Sequence, residues 1–173
     1  MSLNNQKMHT IFISVGSNID KEKHTKAGLQ AMYQVFGELV LSSVYESESV
    51  GFEGNNFYNL VVKASTNLSI EDVCRALKQI EQDNKRQRCE KKFAPRTLDL
   101  DLLLFDQLIT KEPIELPRPE ILYNAFVLKP LVELAAQQIH PLENKTYASL
   151  WDEYDQSQQN LWAIEFNWSP IKS

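Results

Sequence analysis

The stretch Arg96-Thr97-Leu98-Asp99-Leu100-Asp101 holds the residue types and spacing best suited to chemistry in this chain. On a strand, residues two apart share a face, so Asp99 and Asp101 project together, their alpha carbons roughly 6–7 Å apart. Leu98, Leu100, Leu102 and Leu104 then take the opposite face, under helices. Two carboxylates on one face repel each other. A divalent cation removes that repulsion, and oxygen donors with no His or Cys beside them favour magnesium. Taken alone, an Asp-x-Asp is more often a pair of solvated acids. Here both acids interrupt an otherwise apolar strand, which burial disfavours unless they have a partner.

A basic stretch runs directly into this pair. Lys85, Arg86, Arg88, Lys91, Lys92 and Arg96 stand against one acid, Glu90, so an acidic chain carries a locally positive segment. Most charge runs are solvated loops. Arginine forks, however, suit phosphate, and phosphate-binding groups beside a carboxylate pair are what a polyphosphate with bound magnesium requires. A weaker constellation is Phe57-Tyr58-Asn59 with Phe126. An Asn amide can read the edge of a heterocycle and aromatic rings can sandwich it, although strand aromatics usually belong to the core, where Tyr58 is assigned. His9, His24 and His140 lack metal spacing and read as surface or terminal residues. Cys74 and Cys89 lack metal spacing and a visible base partner, and Cys74 reads as part of a helix core.

The elements that must position these groups fit one domain of 173 residues. A net charge of −5 argues against a generally basic nucleic-acid binder. No apolar run approaches a membrane span, and no secretory leader opens the chain. With five glycines there is no P-loop and no G-x-G-x-x-G turn. The expected setting is a reduced cytoplasm. Residues 1–9 read as a disordered leader or a non-native remnant with Met8 as the natural start, and 10–173 as the single domain.

Alternation at Ile11, Ile13 and Val15 predicts a first strand. A helix comes next, capped by Asp20 and stopped by Gly37. Residues 38–46 predict a second strand, 46–56 a loop, and Tyr58 to Ala64 a third strand. Ser69 opens a helix whose apolar stripe is Ile70, Val73, Cys74, Leu77 and Ile80. Thr97 to Phe105 is the fourth strand. This β-α-β-β-α-β order predicts an α+β fold, a ferredoxin-like antiparallel sheet with helices on one face. A C-terminal extension adds helices near Leu128–Gln137 and Tyr147–Tyr154 and an edge strand from Trp162 to Trp168.

Together these segments resemble the 6-hydroxymethyl-7,8-dihydropterin pyrophosphokinases of folate synthesis. The resemblance rests on Ile13-Ser14-Val15-Gly16-Ser17-Asn18, on Tyr45 to Gly51 and on Phe57-Tyr58-Asn59. Its most specific part is Pro95-Arg96-Thr97-Leu98-Asp99-Leu100-Asp101-Leu102-Leu103-Leu104-Phe105. It runs on through Pro117, Phe126-Val127-Leu128 and Pro130-Leu131, covering about residues 10 to 141. The resemblance implies transfer of a pyrophosphoryl group from ATP to the pterin hydroxymethyl group, with release of AMP. It implies that Asp99 and Asp101 hold two magnesium ions. Arg86 and Arg96 would neutralise phosphate charge as catalytic residues, with Arg88 and Arg118 as further ATP contacts. Asn59 would hydrogen-bond the pterin, Phe57 and Phe126 would stack on it, and the backbone from Ser47 to Val50 would complete that pocket. It also implies a monomer.

Some positions depart from the family pattern. Phe93-Ala94 stands where a Trp-Gly pair is common, Arg118 where many members have His, Asn124 where many have Arg, and Cys89 where some have Lys. These departures motivate a second reading, a divergent paralogue that acts slowly or on a related pterin. A third reading, of another class, is an RNA-binding βαββαβ module. The acidity of the chain and the carboxylates on its fourth strand oppose it.

Overall fold

The alternation at Ile11, Ile13 and Val15 becomes β1 (His9–Ser17), and that at Leu60, Val62 and Ala64 becomes β4 (Phe57–Thr66). They pair antiparallel along their whole length, from His9 opposite Thr66 to Ser17 opposite Tyr58. The computed structural model describes residues 7–48, 56–85 and 97–172. It adds β2 (Leu39–Leu41), β3 (Val44–Ser47), β5 (Asp99–Phe105) and β6 (Leu161–Ile164). The sheet order is β5-β1-β4-β3-β6 with β2 beside β4, and these pairings are antiparallel. Among the described residues four α-helices accompany it: α1 (Lys21–Phe36), α2 (Ile70–Lys85), α3 (Ala125–Ala135) and α4 (Tyr147–Glu153). No helix among the described residues is long and apolar enough to cross a membrane.

Each sheet face has its own core. On one side Ile11, Ile13, Val15, Leu60, Val62, Leu98, Leu100 and Leu102 pack with Leu29 and Met32 of α1 and Val73, Leu77 and Ile80 of α2. On the other, Phe12, Val61, Leu103 and Leu104 meet Val127, Leu128 and Leu131 of α3 and Tyr147 of α4. The expectation of helices on one face therefore holds for α1 and α2 alone. The apolar stripes of α3 and α4 need a surface too, and the second sheet face supplies it. Leu104 also lies on the α3 side rather than beneath α1 and α2. The register of β1 against β5 slips between Phe12 and Ile13, leaving Leu103 as an extra residue, and such a bulge reverses the facing of the residues after it.

The predicted strand 38–46 is two strands, because Ser42 interrupts the ladder. Its Oγ accepts the Val61 N–H while its own N–H donates to the Val61 carbonyl. Ser43 is thereby turned outward, and its N–H donates to Glu133 of α3. The Tyr45 hydroxyl donates to the same carboxylate, and burial, followed by Glu133 itself, pushes that hydroxyl's pKa up. The final strand ends at Ile164. Beyond it Phe166 and Trp168 pack on the α1–α2 core, and Gln30 of α1 holds Ile171 through two hydrogen bonds.

Of three terminal signals, two read differently in three dimensions. Asp20 makes no side-chain cap; its backbone is left-handed (φ 43°) and its carbonyl accepts the His24 N–H. Gly37 does stop α1, at φ 81°, its N–H donating to Tyr33. The third helix opens at Ala125, three residues before the expected Leu128. His24 and His140 are buried, not superficial. The His24 ring and the Asn84 amide share a hydrogen bond of 2.8 Å, tying the start of α1 to the end of α2.

His140 Nδ1 accepts the N–H groups of Leu142 and Glu143, each at 3.1 Å. Burial holds its pKa below the ordinary 6.5. A depressed folded-state pKa means stability that is complete above about pH 6.5 and lost as pH falls through the folded value. His140→Asn keeps an acceptor and removes the titration. Thermal melts from about pH 7 to about pH 5 are expected to show a smaller fall for the variant than for the parent.

Candidate active site

The bulge in β5 comes after Asp101, so the pleat holds Asp99 and Asp101 on the face opposite α1 and α2. Across the sheet Asp99 stands opposite Gly16, and Gly16 stands opposite Asn59. Asp101 stands opposite Ser14. β1 thus contributes only Ser14 and Gly16 between the carboxylates on one side and Asn59 on the other. A Cβ at Gly16 would lie 3.1 Å from Asn59 Oδ1. The floor is low there because these side chains are small, and a cavity of about 670 Å³ opens above it.

The walls come from distant segments. Phe57 and Ser47, paired across β4 and β3, line one part, and Phe126 and Val127 in the first turn of α3 line another. The Ala125 N–H at the start of α3 donates to Gln159 Oε1, so the extension fixes where the helix begins. Asn59 is buried, with its Nδ2 3.4 Å from Ser47 Oγ. Arg118 enters from the β5 edge. Its N–H donates to the Leu103 carbonyl, and its guanidinium lies 2.8 Å from Asp101 Oδ1 and 3.9 Å from Glu120 Oε1.

Of the residues singled out in the sequence, Ser47, Phe57, Asn59, Asp99, Asp101, Arg118, Asn124 and Phe126 all line this cavity. Val50, Arg86, Arg88, Cys89, Phe93, Ala94 and Arg96 lie outside the described residues. Sequence reasoning gave no site role to Ser14, Glu120, Gln159, Asn160 or Glu81, whereas Glu48 falls in the Ser47–Val50 stretch it had placed at the pocket. Gln159 and Asn160 had no local signal; they reach the site because β6 pairs with β3. Glu81 sits beside the apolar stripe of α2, and its carboxylate reaches the edge of β5 to accept the Leu100 N–H at 2.7 Å. That N–H lies between the two Asp residues. Burial first, then the negative charges of Asp99 and Asp101, raises the Glu81 pKa.

Among the described lining residues, charge is provided by Glu48, Asp99, Asp101, Glu120 and Arg118. Four carboxylates against one guanidinium call for cations. No cluster of three or more His, Cys, Asp or Glu that could hold a metal occurs among the described residues. Two carboxylates completed by substrate phosphates and water are, however, the donor set magnesium ordinarily takes, so Asp99 and Asp101 fit that ion.

The backbone defines a class: a mixed α/β protein with an antiparallel sheet. Its course is similar to that of the HPPK-DHPS of Plasmodium falciparum in a crystal structure with pteroate, with a TM-score of 0.70 at 12% identity. That superposition covers 87% of this chain and 44% of the other, so the chain spans less than half of that protein. The family model for 7,8-dihydro-6-hydroxymethylpterin-pyrophosphokinase (HPPK) matches residues 12–136, and the chain belongs to that family. It is 31% identical over 141 residues to the 2-amino-4-hydroxy-6-hydroxymethyldihydropteridine pyrophosphokinase of Aquifex aeolicus, covering 80% of this chain and 88% of that one. The Bacillus subtilis enzyme of the same name is 36% identical over 131 residues, covering 73% and 78%.

The raised Glu81 pKa gives a testable sign. Its protonated form is favoured in the fold, so its contribution is fully present below about pH 4.5 and lost as pH rises through the folded value. Glu81→Gln keeps an acceptor for the Leu100 N–H without the charge. Denaturant titrations are expected to show it at least as stable as the parent near pH 7, with no such gain near pH 4.

Proposed function

We propose that this protein transfers the pyrophosphoryl group of ATP to the hydroxymethyl oxygen of 6-hydroxymethyl-7,8-dihydropterin, releasing AMP, as a step of folate synthesis. One observation carries the reading within the family: Asp99 and Asp101 share a single cavity with Asn59, Phe57 and Phe126. A metal-dependent phosphate subsite thereby adjoins a place for a flat heterocycle. Asn59 hydrogen-bonds the pterin edge, Phe57 and Phe126 stack on its faces, and Ser47 and Glu48 line the same pocket. Asp99 and Asp101 would hold two magnesium ions, which would neutralise phosphate charge and acidify the attacking hydroxyl. Arg118 contacts ATP from the β5 edge, while Arg86, Arg88 and Arg96 supply the remaining phosphate contacts.

The chemistry needs little else. In phosphoryl transfer the attacking and leaving oxygens stand roughly in line, and catalysis is largely positioning and charge stabilisation. The pterin oxygen bonds to the β-phosphorus as the bond from that phosphorus to the AMP oxygen breaks, and the hydroxyl proton passes to solvent water. The rigid sheet holds Asn59 and the two carboxylates at a set spacing across β1, which aligns the two substrates. The strand order β5-β1-β4-β3 supports a ferredoxin-like βαββαβ core, extended at its C-terminus, within one domain spanning 10–173. We take the protein as a cytoplasmic monomer. The departures at Arg118 and Asn124 favour a second reading, a paralogue that is slower or acts on a related pterin.

Protein mixed with ATP, magnesium and 6-hydroxymethyl-7,8-dihydropterin should form AMP only when pterin is present, as followed by chromatography. Asp99→Asn combined with Asp101→Asn should lower that rate by about a thousandfold or more. AMP without pterin dependence, or an unaffected double variant, would overturn the assignment. Gly16→Ala, which crowds Asn59, should weaken pterin binding about tenfold with melting temperature nearly unchanged, as read by fluorescence titration.

A further inference from the structure

We infer that Arg118 is a resident counter-ion for the Asp99–Asp101 pair: it holds Asp101 until a nucleotide–metal complex moves its guanidinium from carboxylate to phosphate. The inference rests on the pyrophosphoryl-transfer reading and adds a device built from this chain's own departure from the family pattern.

The geometry is specific to an arginine at this position. Pro117 and Pro119 flank Arg118, and a following proline confines a residue to extended backbone, here φ −64° and ψ 127°. The Arg118 N–H is spent on Leu103, so the main chain is fastened to β5. What remains free to move is the side chain. The Arg118 side chain as a whole is well covered, at 19% exposure, whereas that of Asp101 is 50% exposed. The Nε is buried and has no hydrogen-bond partner among the described residues, with Glu120 at 3.9 Å. The head is therefore anchored at Asp101 and only loosely held along its other edge.

A guanidinium 2.8 Å from Asp101 Oδ1 already neutralises part of the charge a metal ion would use. A bare divalent cation must displace it and leave it beside a doubly charged ion. A cation arriving with a triphosphate brings acceptors that match the fork better than one carboxylate oxygen does. Arg118 thus opposes metal alone and favours metal with nucleotide. The two bind with positive coupling, and that coupling is reciprocal. A purely structural Arg118 would lower both affinities on removal, or neither.

Mn²⁺ alone is the probe for the first half, titrated against protein by electron paramagnetic resonance without nucleotide. The second half uses an ATP analogue with a non-cleavable α,β bridge and saturating magnesium, followed by calorimetry. Arg118→Met is expected to bind Mn²⁺ about tenfold more tightly than the parent and the nucleotide complex about tenfold more weakly. Unchanged or weaker Mn²⁺ binding, or nucleotide binding that is not weakened, overturns the inference. Arg118→Gln undergoes the same titrations if Arg118→Met does not melt cooperatively. AMP formation by the parent is measured separately, so failure of the proposed reaction is distinguishable from failure of the counter-ion role.

Discussion

A strand that buries leucines on one side and presents acids to a cavity on the other commits every neighbour to a side. β5 is that strand. Leu98, Leu100 and Leu102 belong to the core beneath α1 and α2. Each buried leucine contributes roughly 1.5–3 kcal/mol, so a register slip of one residue, which would exchange the leucines for Asp99 and Asp101, is strongly disfavoured. The core behind the carboxylates therefore holds them on their face. The exposed edge of β5 is closed from two directions, by Glu81 at the Leu100 N–H and by the Arg118 N–H at the Leu103 carbonyl. Both closures place charge beside the pair.

The cavity is the portion of the second sheet face that α3 leaves bare. α3 covers Phe12, Val61, Leu103 and Leu104, and it is seated by Glu133, which receives the Ser43 N–H and the Tyr45 hydroxyl. It begins at Ala125, after the extended backbone of Asn124, and Gln159 accepts the Ala125 N–H there. Asn124, where many family members carry arginine, lies at this terminus, and its carbonyl accepts the Val127 and Leu128 N–H groups. Here it opens a helix on the cavity rim without a positive charge, which leaves Arg118 as the cation among the described lining residues.

Much of the scaffold was legible in the chain. The alternation of β1, β4 and β5 was readable because each strand has one face in the α1–α2 core, and the period of the apolar residues records that directly. The Gly37 stop was equally plain. The split at Ser42 was not, since it depends on a hydroxyl replacing a ladder bond to Val61, and a serine within a strand pattern does not announce that. His24 and His140 were misplaced for a similar reason: a histidine carries no sign of whether Asn84, or the N–H groups of Leu142 and Glu143, will come to meet it.

The sequence by itself determined that Asp99 and Asp101 share a face, because two-residue periodicity is a local property of an extended backbone. It also supplied the family through a contiguous motif. Only the tertiary structure decided that Asn59, Ser14 and Gly16 stand in line with those acids, that α3 packs on the same face and ends where it does, and that Arg118 reaches Asp101. Those facts depend on register between strands 40 or more residues apart and on a glutamine 34 residues beyond the α3 terminus. Pairing across such distances is set by the sum of two cores, and no short stretch of chain encodes it.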